Sequence, residues 1–149
     1  MMRQSITAFF TAAMLTAGPV LASEESALLP PDERFLGVWD LNGDGTATLE
    51  ELRTMRGRVF NSFDTDDDGV LTETEYVAFD EARAGDVAGY EGEAREIMET
   101  ITDGMSRSAS DANGDGRVQR EEFLEGAEAW LETLDRNDDG VITAEDLET

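Results

Sequence analysis

DLNGDGTATLEE LRTMRGRVFNSF DTDDDGVLTETE, residues 40–75, holds two acidic loops separated by only twelve residues. In each loop Asp or Asn stands at the first, third and fifth places, glycine at the sixth and glutamate at the twelfth. Such spacing brings oxygen ligands to one point, provided the chain turns sharply at the sixth place, which glycine permits. The interval leaves room for one helix and no turn. Leu49, Leu52, Met55, Val59, Phe60 and Phe63 recur at three- and four-residue steps, so residues 49–63 are predicted to form one amphipathic helix about 22 Å long. Two loops at opposite ends of one rod cannot lie side by side.

The pattern recurs at 111 and 135, again 24 residues apart, whereas 64 and 111 are separated by 47. The candidate metal ligands of the first loop are Asp40, Asn42, Asp44, the Thr46 carbonyl, Thr48 and Glu51. In the second they are Asp64, Asp66, Asp68, the Val70 carbonyl, Thr72 and Glu75. The third offers Asp111, Asn113, Asp115, the Arg117 carbonyl, Gln119 and Glu122, and the fourth Asp135, Asn137, Asp139, the Val141 carbonyl, Thr143 and Asp146. A twelfth-place carboxylate is needed to close the cage with two oxygens, and Asp146 is one methylene shorter than the glutamates. The fourth loop is therefore expected to bind calcium more weakly or to favour magnesium.

The chain is thus a duplication of loop, short helix, loop, with repeats over 32–84 and 92–149 of a single domain, 32–149. The second and third loops are expected to pair, leaving the first for the fourth at the other end of an all-α bundle. Residues 76–110 supply an exiting helix over about 73–84, a turn near 85–92 and an entering helix with Ile97, Met98, Ile101 and Met105. The competing arrangement kinks the short helices at Gly57 and Gly126 and folds each pair of loops back on itself. Ala47, Leu71, Val118 and Ile142, at the eighth places, are the candidates for strand bridges between paired loops. Pro30 and Pro31 precede a short helix whose Phe35, Leu36 and Trp39 face the core, with Trp130 a further core aromatic.

The 149 residues carry 35 acids against 11 basic side chains, all arginine, for a formal charge of −24, with no Cys and no His. That charge opposes nucleic acid and anionic lipid, and it opposes compaction unless cations neutralise it. Disulfides, thiolate ligands and imidazole ligands are excluded, which leaves hard oxygen donors for calcium, magnesium, manganese or rare-earth ions. The clustered acids are accounted for as ligands and no nucleophile with a partnered base is present, so no enzyme is expected.

Residues 1–22, with Arg3, an apolar run from Ile6 and a Val20-Leu21-Ala22 terminus, read as a cleaved signal peptide. A flexible tail over 23–31, a periplasmic or secreted location and no membrane attachment after cleavage follow as expectations.

The D-x-[DN]-x-D-G loops with their twelfth-place acids resemble the EF-hand superfamily over residues 32–147. The resemblance implies three to four Ca2+ ions. The short spacing, the signal sequence and the missing cysteines are more specifically similar to the lanmodulin group of bacterial periplasmic proteins, which bind lanthanide ions at loops on opposite ends of a small helical bundle. That group typically has Pro at the second place and Asp at the ninth. Here those places hold Leu41, Thr65, Ala112 and Arg136, and Thr48, Thr72, Gln119 and Thr143. Calcium binding coupled to folding, as a buffer or sensor, is thus the leading expectation. A lanthanide binder and a calcium-dependent adaptor for a partner protein are the alternatives.

Overall fold

The computed structural model describes residues 28–149; the signal-peptide segment and residues 23–27 of the expected tail lie outside the described residues. Seven helices and one two-stranded sheet make up the described chain. Helix α1 (Pro31–Trp39) leads into the first loop, and α2 (Leu49–Phe63) joins that loop to the second. After the second loop come β1 (Val70–Leu71), α3 (Glu73–Val87), α4 (Gly92–Asp103) and the one-turn α5 (Arg107–Ser110). The third loop contains β2 (Val118–Gln119), α6 (Arg120–Leu134) joins it to the fourth, and α7 (Ala144–Leu147) ends the fold.

The short helices α2 and α6 run unbroken through Gly57 and Gly126, so the kinked arrangement is not adopted. Their loops pair as the spacing requires. β1 and β2 are antiparallel, with Leu71 opposite Val118, joining the second loop to the third. A single bridge, Ala47 with Ile142, joins the first to the fourth through two backbone hydrogen bonds of 2.8 and 3.0 Å. All four eighth-place side chains are almost fully buried, so each pairing is also a small apolar contact.

The α2 and α6 rods pack against each other at the centre. Around them the core divides into two aromatic groups. Trp39 meets Trp130 edge-on at 4.6 Å between ring centroids, and Phe35 packs against both. Phe60, Phe79 and Phe123 form the other group, with Tyr76 and Phe63 against Phe79. Buried polar tips are satisfied: the Trp130 indole donates to the Ile101 carbonyl at 3.0 Å, and the Tyr76 hydroxyl donates to the Met105 carbonyl at 3.1 Å.

Three local boundaries differ from expectation. The helix α3 continues past Gly85 to Val87, because Val87 is buried and repays the extra turn. The segment before the third loop is not one helix but α4 and α5, interrupted at Gly104, where the Trp130 ring presses so closely that no side chain fits. The tail ends earlier than residue 31: Pro31 is the buried first residue of α1, and the Leu29 carbonyl accepts the Tyr90 hydroxyl at 2.6 Å.

Candidate metal centres

Each loop is built by the same backbone-to-side-chain hydrogen bonds, repeated four times. The sixth-place amide donates to the first-place carboxylate: Gly45 to Asp40, Gly69 to Asp64, Gly116 to Asp111 and Gly140 to Asp135, at 2.8 or 2.9 Å. The fifth-place amide donates to the third-place side chain, and the seventh-place amide to the fifth-place carboxylate, in all four loops. These bonds require the sixth residue to have positive φ, between 79° and 88°, where a Cβ is resisted. The fourth place is also left-handed. It is glycine in the first and third loops, but Asp67 and Asp138 in the second and fourth, at φ 56° and 59°. Asp tolerates that region better than most residues with a Cβ.

The twelfth-place acid closes each loop. One Glu51 oxygen accepts the Leu41 and Asn42 amides and the other accepts the Thr48 amide at 3.0 Å. Glu75 does the same with Thr65 and Thr72, and Glu122 with Asn113 and Gln119. Asp146 reaches the equivalent amides of Arg136 and Thr143, at 2.9 and 2.8 Å, despite its shorter arm. The fourth loop therefore draws its two ends to the shorter carboxylate. The ninth-place residues have a second task that their spacing alone did not reveal. Thr48, Thr72, Gln119 and Thr143 are the N-caps of α2, α3, α6 and α7, and the twelfth-place acid is the third residue of the helix it starts. The residues at the ninth and twelfth places of each loop thus start the helix and close the loop together.

The electrostatics favour a cation. Oxygens of Asp64, Asp66 and Asp68 all lie within 4.8 Å of one another. Two like unit charges at such a distance repel by about 1 kcal/mol even at the dielectric of water. The Asp66 carboxyl accordingly titrates above its usual range, through lost hydration and through the charges of Asp68 and Glu75. Glu75 goes the other way, held at about 2 by the Thr72 amide first and then by Thr65. Glu51 and Asp44 are lowered too, Glu51 chiefly by the Thr48 amide and Asp44 by the Thr46 hydroxyl and amide. For Asp146, burial opposes ionisation, but the Thr143 and Arg136 amides outweigh it and the net shift is downward. A set of ionised carboxylates, amide oxygens and carbonyls with no nitrogen or sulfur donor fits a hard ion such as calcium.

Sequence reasoning missed one residue that bears on these centres. Arg56 lies in the apolar row of α2, four residues after Leu52 and four before Phe60, and is fully buried. Its position in that row was the signal: a charge on the buried face of an amphipathic helix.

A family model described as EF hand matches residues 38–55, 57–80, 109–126 and 127–149, so each match contains one of the four loops. No curated protein matches the chain.

Proposed function

The chain belongs to the EF-hand family, and from that premise we propose that it is an exported calcium-binding protein, not an enzyme, whose folding is coupled to occupancy of its loops. The observation that carries this reading is the convergence of Asp64, Asp66 and Asp68 within 4.8 Å inside a chain of net charge −24. Ions at such loops replace repulsion with attraction, and binding energy becomes folding energy. Circular dichroism in chelator and then in calcium tests the coupling: helix content is expected to rise on calcium addition, and identical spectra would contradict it. Export rests on the leader-like residues 1–22. Among the described residues no helix is long and apolar enough to cross a membrane.

A second reading, a calcium-dependent adaptor, is supported by a groove of about 320 Å³ lined by Phe35, Val59, Phe63, Phe79, Met98 and Ile101. Binding of an apolar dye that rises with calcium would favour the adaptor, and unchanged or falling binding the buffer. A lanthanide binder of lanmodulin type is supported by loops set at opposite ends of shared short helices, and opposed by ninth places that carry no acid.

A further inference from the structure

Arg56 is the one arginine among the described residues with no exposed surface, and no carboxylate partners it. Its Nε donates to the Phe123 carbonyl at 2.5 Å, Nη1 to the Gly104 carbonyl at 3.2 Å and Nη2 to the Ser110 hydroxyl at 3.4 Å. The guanidinium lies over the rings of Phe123 and Trp130, 4.4 and 5.5 Å from their centroids. Ser110 is the residue immediately before the third loop, and Phe123 is the residue immediately after it. One side chain from the first half of the chain therefore ties together the two ends of a loop in the second half.

The surroundings are shaped to admit it. A Cβ on Gly126 would stand 2.7 Å from Nη2, and a Cβ on Gly104 would overlap the Trp130 ring that covers the guanidinium. Burying an arginine is costly, and its pKa is drawn down to about 10 by that burial, yet it stays charged at neutral pH. Three acceptors, in α5, in α6 and at the break between α4 and α5, with two flanking one loop, are more than packing α2 against α6 requires. That contact is already served at the surface by Arg53 and Glu128, paired at 2.6 Å.

We propose that Arg56 is a positioning residue for the third metal loop: by holding Ser110 and Phe123 it fixes the separation of Asp111 and Glu122, the first and last ligands. The proposal rests on reading 111–122 as a metal loop. A planar fork can hold three acceptors at fixed directions, whereas lysine is a point donor and cannot.

The test is a calcium titration of the full chain followed loop by loop through the amide NMR signals of Gly45, Gly69, Gly116 and Gly140. The variants are Arg56→Lys and Gly126→Ala, with Arg53→Gln as the control. Gly126→Ala keeps the arginine but displaces it, in a helix that alanine otherwise favours. The midpoint at Gly116 is expected to rise about tenfold in both variants, with Gly45 and Gly140 changed by less than about threefold. Arg53→Gln should leave Gly116 unchanged. A Gly116 midpoint within about twofold of the unaltered chain, or an equal shift at all four glycines, would overturn the proposal. Should Arg56→Lys fail to fold, Gly126→Ala and Ser110→Ala decide on the same readout. Absence of any calcium response in the unaltered chain would overturn the metal-loop reading itself, and the role of Arg56 with it.

Discussion

Glu75 shows how one carboxylate draws the two ends of a loop together. Its carboxylate accepts the amides of Thr65 and Thr72, at opposite ends of the second loop, and is held at about 2. A carboxyl depressed in the folded state stabilises that state fully above its unfolded value of about 4.3, and the gain drains away as pH falls toward about 2. With folding coupled to occupancy, carboxyl NMR in chelator is expected to find Glu75 near its ordinary value of about 4.3. A midpoint near 2 would show instead that the loop closes without metal. Asp146 makes a different case. Its short arm was legible in the sequence as a departure from the other three loops, but not that it would reach the same amides. Asp146→Glu should strengthen calcium at the fourth loop and lower its preference for magnesium, since a longer arm suits a larger ion. Competition titrations of the two ions read this directly, and an unchanged ratio would count against it.

At the scale of elements, the helix over 49–63 was legible because apolar residues at three- and four-residue steps leave little choice, and α2 spans those residues. The break between α4 and α5 was not legible. It is imposed at Gly104 by the Trp130 indole, which comes from another helix far along the chain, and no local pattern records that. Arg56 stands out in the sequence as a charge in an apolar row, but its acceptors lie in the other repeat and no local pattern records them. The glycines also separate by context. A Cβ on Gly57 would meet only the tip of Arg120 at 3.1 Å and Leu124 at 3.6 Å, and Arg120, though it donates to Asn61 and lies over Phe60, is exposed and long enough to give by a few tenths of an ångström. Gly57→Ala is thus expected to stabilise the calcium-loaded protein by up to about 1 kcal/mol. Gly104→Ala should instead cost about 3 kcal/mol, because its Cβ would fall 1.9 Å from Trp130. Denaturant unfolding in saturating calcium measures both, and equal effects would show that neither contact is as rigid as drawn.

For the whole molecule, the pairing of loops followed from spacing alone. Loops 24 residues apart share a rod and cannot meet, while the 47-residue interval contains the turn that brings the second and third together. Once that pair forms, the repeat relation places the first beside the fourth, and the Ala47–Ile142 bridge is the result. What spacing could not supply is the groove beside α1, because it depends on how far the helices stand apart. The acidic charge belongs to this scale too. It opposes compaction of the whole chain, and four bound calcium ions would remove part of it at the four points where it is densest.

The most direct test of the account is a calorimetric titration of the metal-stripped protein with calcium, and separately with lanthanum, at fixed ionic strength. Three or four calcium sites are predicted, the fourth weaker, with lanthanum tighter by no more than its greater charge confers on any carboxylate cage. Absence of calcium binding, or a single site, would contradict the account, and lanthanum bound many orders of magnitude tighter would transfer the central role from calcium to the lanthanides.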